Sequence, residues 1–266
     1  MKNYKKIIKV IIPPIVISAA KFLLKSKFIN YKQVVSWEIA RNNSIGYDAE
    51  LIIEKVKLST RSVVDGSFAY ERDSMLFEEI QYSWQLLVGI LIAAENCGVL
   101  NIIDYGGSLG STYRQNKKFL DNLNCKIRWK VVEQKIFTDI GQSEFTTDQL
   151  EFFHTIEDAN QSGCNIFLLA STIGYIDNPY ELIRSIKKIS PKYIVVDRTV
   201  VSDKEKYLVQ NVPAKIYRAS YPLRVFDYNE LIDSFLDAYN LIEKWDCDMQ
   251  GNPYGKLSGF ILKLKD

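Results

Sequence analysis

The stretch Asn101-Ile-Ile-Asp-Tyr-Gly-Gly-Ser-Leu-Gly110, followed directly by Ser111-Thr-Tyr-Arg-Gln-Asn-Lys-Lys-Phe-Leu120, decides how the chain is read. An apolar run ends in an acid, a glycine-rich turn follows, and a helix-compatible segment begins. This is a strand, a tight loop and a helix N-terminus, the arrangement that brings backbone close to a nucleotide-like ligand. Glycine belongs there because a side chain would block that approach and because such turns call for positive φ.

Spacing separates the candidate cofactors. Gly106, Gly107 and Gly110 do not fit the Gly-x-Gly-x-x-Gly of dinucleotide folds, and no phosphate-cradling Gly-x-x-x-x-Gly-Lys-Ser/Thr occurs. The pattern present is Asp104-x-Gly106-x-Ser108-x-Gly110. It resembles the acid-x-Gly-x-Gly-x-Gly loop of class I S-adenosylmethionine-dependent methyltransferases, with Ser108 in place of the middle glycine. The resemblance implies that Asp104, Gly106, Gly107, Ser108 and Gly110 wrap the methionine end of S-adenosylmethionine. It also implies that an acid closing the next strand holds the ribose hydroxyls, and Glu133, followed by Gln134, stands in that position. A carboxylate suits a diol because it accepts two hydrogen bonds at once. The competing reading is a plain strand-to-helix turn with no ligand.

Outward from this loop, apolar strands alternate with amphipathic helices, which predicts a parallel, doubly wound sheet. Strands are expected at residues 101–104, 129–133, 150–154, 165–170 and 193–197. A helix follows the loop to about residue 123, and another is capped by Asn178, with Pro179 in its first turn and Glu181 reaching back as in a capping box. Asp104, Glu133, His154, Ser171 and Asp197 all close strands, the edge where such sheets bind ligands. Residues 200–226, rich in aromatic and basic side chains, read as a long irregular connection covering that edge. Asp227-Tyr-Asn-Glu230 opens a helix. Residues 239–245 and 258–264 then form two strands joined by a hairpin-length turn around Gly251 and Gly255. Seven strands with a terminal antiparallel pair is the class I methyltransferase layout, a Rossmann-like α/β fold.

Before the loop, residues 1–96 are read as a basic and apolar N-terminal segment plus a helical cap, with the methyltransferase domain at residues 97–266. The apolar run within residues 7–20 is too short to span a bilayer and is broken by Pro13-Pro14. It is weighed as a core-docked helix, as peripheral contact with an anionic membrane, or as a signal peptide, in that order. Residues 49–58 carry helical periodicity and Asp65-Gly66 marks a turn. Residues 75–94 read as one apolar helix capped by Asp73 or Ser74. Glu71, Arg72 and Asp73 are either capping and surface-pairing residues or part of the ligand mouth.

Composition bounds the rest. The 266 residues are 47% hydrophobic and 25% charged, with a net charge of +2 that gives no support to a nucleic-acid partner. The four cysteines are scattered, and with one histidine a metal site or a Ser-His-Asp triad is not expected.

The combination of Trp37-Glu-x-Ala40, Glu71-Arg-Asp-Ser74, the glycine loop, Trp129-x-Val-Val-Glu-Gln134, Asp197-Arg-Thr199 and Ile216-Tyr-x-Ala-Ser-Tyr-Pro222 is more specific. It resembles a family of S-adenosylmethionine methyltransferases encoded among bacterial surface-polysaccharide (O-antigen or capsule) genes, from about Pro13 onward. The resemblance implies a cytoplasmic enzyme, possible contact with the inner membrane through its N-terminus, and O-methylation of a sugar or lipid-linked glycan precursor. Arg114 and Arg224 stand where aromatic residues are expected. For the proton of a sugar hydroxyl, Asp197 is the first candidate base and His154 the second. Arg198 and Arg224 are candidates for a phosphate or sugar-nucleotide, and Tyr217 and Tyr221 for stacking on a sugar. A nicotinamide-dependent sugar-nucleotide enzyme and a non-catalytic scaffold in glycan assembly are the alternative readings.

Overall fold

The computed structural model describes residues 29–45, 49–212, 219–247 and 252–266. The first elements are strand β1 (Asn30–Val34), helices α1 (Trp37–Asn42) and α2 (Ala49–Val64), the hairpin β2 (Tyr70–Arg72) and β3 (Met75–Phe77), and helix α3 (Trp84–Ala94). The alternating unit then runs β4 (Val99–Tyr105), α4 (Ser111–Leu120), β5 (Lys126–Val132), α5 (Lys135–Ile140), β6 (Leu150–Phe153), α6 (Ile156–Ala159), β7 (Ile166–Ala170), α7 (Pro179–Ile189) and β8 (Tyr193–Ser202). It closes with β9 (Lys206–Val212), β10 (Ala219–Asp227), α8 (Tyr228–Asp233), β11 (Tyr239–Asp246) and β12 (Lys256–Leu264).

The strands order as β6-β5-β4-β7-β8, all parallel; β12 then pairs antiparallel with β8, and β11, antiparallel to β12, runs parallel to the rest. Counting only this alternating unit, the order is 3-2-1-4-5-7-6 with the last-formed strand reversed, which is the class I methyltransferase fold. Period-two alternation feeds two cores. On one face Ile102, Trp129, Leu168 and Val195 meet Ile52 of α2, Leu86 and Ile90 of α3 and Tyr113 of α4. On the other Ile103, Phe167, Leu169 and Val196 meet Leu182, Ile183 and Ile186 of α7 and Leu231 of α8. Each fully buried aliphatic side chain contributes on the order of 1.5–3 kcal/mol, so helices cover both faces because both faces are apolar.

Two sequence expectations are corrected. Within residues 200–226, the described residues 200–212 and 219–226 form strands of a ribbon, not an irregular cover. β8 runs on past Asp197, β9 and β10 pair antiparallel from Ala219↔Val212 to Val225↔Lys206, and β1 joins the outer edge of β9. Pro222 is accommodated because only Phe226 and Asp227 of β10 pair with β8, so at Pro222 the other side of the strand is an edge. The second correction concerns residues 75–94, of which only Trp84–Ala94 is helical. Asp73 and Ser74 both hold left-handed backbone, φ 51° and 64°, and turn β2 into β3 as a tight hairpin. The capping role read for Asn178 is also absent from its side chain, which makes no cap hydrogen bond, whereas Asp227 caps α8 through Asn229 and Glu230. Tyr217, the turn at Gly251 and the N-terminal run through residue 24 lie outside the described residues. Among the described residues no helix is long and apolar enough to cross a membrane.

β8 carries a bulge: Ser258 pairs with Thr199 and Phe260 with Val196, so Asp197 and Arg198 together oppose Gly259. Gly259 is also covered by the Trp245 ring from β11, and an added Cβ would lie 2.4 Å from that ring and 2.7 Å from the Val196 carbonyl. Gly259→Ala is therefore expected to lower stability by about 1–3 kcal/mol in urea unfolding followed by tryptophan fluorescence.

Candidate active site

The glycine loop sits where β4 has β5 on one side and β7 on the other, the point at which the chain reverses its direction of winding. Gly106 (φ 74°) and Gly110 (φ 89°) are left-handed, and so is Ser108 (φ 54°). Serine thus keeps the backbone conformation that the middle glycine of the motif would adopt freely. A Cβ on Gly106 would lie 2.3 Å from Thr172, and one on Gly107 2.5 Å from the Asp104 carboxylate. The loop is pressed onto Asp104 from above.

Asp104 is only 1% exposed. Its Oδ2 accepts the Trp129 indole N–H at 3.1 Å, and its Oδ1 has no partner. Burial first, then the Glu133 charge, raises its pKa from an ordinary 3.8 to about 7, against the opposing effect of the Trp129 N–H. Glu133 lies beyond β5, half-buried, and accepts the Gln134 N–H at 2.7 Å. Its pKa is raised by burial, with the Gln134 and Ser108 backbone amides opposing. Two acids thus flank the loop, one beneath it and one beside it.

The β2–β3 hairpin closes the other side. Glu71, 3% exposed, accepts the Ser111 hydroxyl in the first turn of α4, and its pKa is raised by burial. A carboxylate there faces the positive end of the helix. Gln115 of α4 donates to the Gln81 carbonyl and lies 3.4 Å from the Tyr70 hydroxyl. The hairpin was legible only as a charged tetrapeptide; its two-residue turn has no glycine to announce it. Arg114 turns back onto the Leu109 carbonyl and the Phe145 ring, bracing the loop from behind.

Next to the loop, a cleft of about 190 Å³ opens between the β2–β3 turn, the end of β7 and the β9–β10 ribbon. Arg72, Asp73, Ser171, Tyr175, Arg198, Thr199, Gln210 and Asn252 supply its polar lining. Ser171 (φ 60°) and Arg198 (φ 51°) are again left-handed, the Ser171 N–H donates to the Asp197 carbonyl at 2.8 Å, and the Arg198 Nε–H donates to Ser171 Oγ at 3.1 Å. Non-glycine residues in this region persist only where the surroundings enforce them, and they gather at functional sites.

The remaining predicted residues fall in other places. Asp197 is fully buried behind the cleft, 3.5 Å from Arg198 Nε and 3.9 Å from Cys247 Sγ, so its carboxylate acts through Arg198. His154 ends β6, where it bonds Thr138 and lies 3.6 Å from Asp139. Three strand spacings of about 4.8 Å separate β6 from β7, whose end lines the cleft, so His154 stands on the order of 14 Å from it. Tyr221 is buried behind the wall, edge-on to Tyr175 at 6.4 Å. Arg224 faces away from Leu223, which lines the cleft, and is held among Trp37, Tyr207 and Phe226 with Glu205 at 3.4 Å. Asp73 is the one carboxylate lining the cleft among the described residues, and it sits in a hairpin turn, not at the end of a strand of the parallel sheet.

No protein-family model matches the chain, and neither does any curated protein sequence. Solved structures with a similar fold include the 1,6-didemethyltoxoflavin-N1-methyltransferase of Burkholderia thailandensis, solved with S-adenosylhomocysteine. It is 11% identical, covers 89% of this chain and 95% of its own, and has a TM-score of 0.46. The (4+2)-cyclase SpnF is 12% identical over 80% of this chain and 94% of its own, with a TM-score of 0.47. The glycopeptide N-methyltransferase MtfA, solved with sinefungin, is 10% identical over 62% and 86%, with a TM-score of 0.42. Similarity this distant says nothing about substrate.

Asp104 provides a test of the loop geometry. Because its folded pKa lies above its unfolded one, the native state takes up a proton between about pH 4 and pH 7, and stability falls as pH rises through that window. Asp104→Asn removes the effect. In urea unfolding the variant should gain on the wild type by about 1.4 kcal/mol per pH unit across the window and no further above it.

Proposed function

We propose that this protein is an S-adenosylmethionine-dependent methyltransferase that O-methylates a sugar in surface-polysaccharide assembly. The observation that carries the reading is the buried Asp104 beneath a glycine loop at the switch point of a 3-2-1-4-5-7-6 sheet. The residues present fit the cofactor: Asp104 Oδ1 is an unmatched acceptor, no side chain occupies the loop at Gly106 and Gly107, and Glu133 offers carboxylate oxygens at the next strand end. Gly106 to Gly110 would hold the amino-acid end, Glu133 the ribose hydroxyls, with Gln134 and Ser171 at the edges of the site. When bound, S-adenosylmethionine supplies a methyl group already activated by its sulfonium.

The chain's own task is then to position an acceptor oxygen in line and to keep water out. The β2–β3 hairpin and the β9–β10 ribbon flank the cleft and serve the second purpose. In this reading Asp73 takes the acceptor hydroxyl's proton, being the carboxylate that lines the cleft, while Asp197 orients Arg198 from behind. The sugar and the surface-polysaccharide setting rest on the motif resemblance and on the polar lining of the cleft.

Two measurements test this reading. Calorimetric titration should show binding of S-adenosylmethionine and S-adenosylhomocysteine, weakened tenfold or more in Glu133→Ala with the fold retained by circular dichroism. A folded wild type that binds neither would overturn the assignment. With an acceptor in hand, Asp73→Asn should lower kcat by roughly 10²- to 10⁴-fold with cofactor binding intact.

A further inference from the structure

The cleft beside the glycine loop has buried hydrogen-bond donors that the protein leaves unmatched. The bulge in β8 creates the first. In a regular strand Arg198 and Thr199 would point to opposite faces, yet with Arg198 left-handed both line the same cleft. The Arg198 side chain is 10% exposed, and its Nε is engaged by Ser171 and Asp197. Its two Nη groups have no protein partner among the described residues. Thr199, 3% exposed, has an Oγ1 with no partner among the described residues.

Asn252 supplies the third donor from the loop before β12. It is 7% exposed, and its Oδ1 accepts the Tyr254 backbone N–H at 2.9 Å. That bond fixes which end of the amide is oxygen, so the unpartnered atom is the Nδ2 donor. Acceptors in the cleft are few: the Gln210 Oε1 is taken by the Tyr175 hydroxyl at 2.9 Å. Across the cleft stand Arg72 and Asp73, while Asp197 balances the Arg198 charge from behind.

A neutral sugar presents hydroxyls that need acceptors as well as donors. An anionic oxygen group only accepts, which matches a cleft whose unmatched groups are donors. We infer that the cleft binds the anionic oxygen group, phosphoryl or carboxylate, of an acidic sugar, with Arg198, Thr199 and Asn252 donating to it. This rests on the function proposed above only in calling that sugar the methyl acceptor. Asp73, on the opposite wall, then meets a neutral hydroxyl of the same molecule and not its charge.

Calorimetry on the full chain tests the inference, with inorganic phosphate, glucose 1-phosphate, glucuronate and methyl glucoside as probes. At least one anionic probe should bind tenfold or more tightly than methyl glucoside, and whether the phosphates or glucuronate prevail identifies the group. Arg198→Gln and Asn252→Asp should each weaken that binding tenfold or more, and the near-isosteric Thr199→Val at least threefold. Thr199→Val carries the test if Arg198→Gln loses its circular dichroism signature. The inference is overturned if no anionic probe outcompetes methyl glucoside, or if anion binding survives all folded variants. S-adenosylhomocysteine is titrated separately and should bind the variants within twofold of the wild type. Anion binding without S-adenosylhomocysteine binding would sink the methyltransferase assignment and leave the anion site standing.

Discussion

The contact between the Asp104 carboxylate and the underside of Gly107 is the constraint on which the site depends. An ionisable group is kept almost free of water, with one oxygen on the Trp129 indole and the other unmatched. Nothing larger than glycine fits above it, so the loop must pass close and turn sharply, and α4 begins where that turn ends. Leaving a carboxylate oxygen dry is costly, and folded proteins seldom do so without a use for the group. The glycine loop and the two acids therefore form one unit, since the Glu133 charge acts on Asp104 and the Ser108 amide of the loop acts on Glu133.

A second device lies two strands away. β8 outruns its parallel neighbour β7, and beyond the end of β7 its flank is taken by β10. The sheet forks there, and the cleft occupies the angle of the fork. The bulge opposite Gly259 turns Arg198 into that angle while Asp197 stays buried behind it. Asp73, Ser108, Ser171 and Arg198, all left-handed without being glycine, stand around the loop and the cleft, whereas Asn96 and Ser190 follow helix ends where such backbone is common.

Much of this was legible in the sequence. Asp104, Gly106, Gly110 and Glu133 announced a ligand loop because acid, glycine and strand end are local properties of a few residues. The order of strands and helices followed from apolar periodicity, and the final antiparallel pair from a turn of hairpin length. Reading failed where the deciding partner is distant. The strands β9 and β10 looked like an irregular connection because their partners are each other and the distant β1, which nothing in the local sequence shows. Met75–Phe77 looked helical because its apolar residues run into α3, and the hairpin depends on left-handed backbone at Asp73 and Ser74 that neither residue type demands.

What the sequence by itself determined is thus the Rossmann-like sheet, its switch point and the loop that lies there, since periodicity and glycine spacing act over a few residues. Only the tertiary structure decided which polar groups face the cleft. Arg198 and Thr199 are neighbours that a regular strand would point to opposite faces, yet both line the cleft, because a bulge is set by register against β12. Asp73 and Asn252 reach the same cleft from loops about 180 residues apart. Their meeting is a consequence of packing, and no local pattern encodes it.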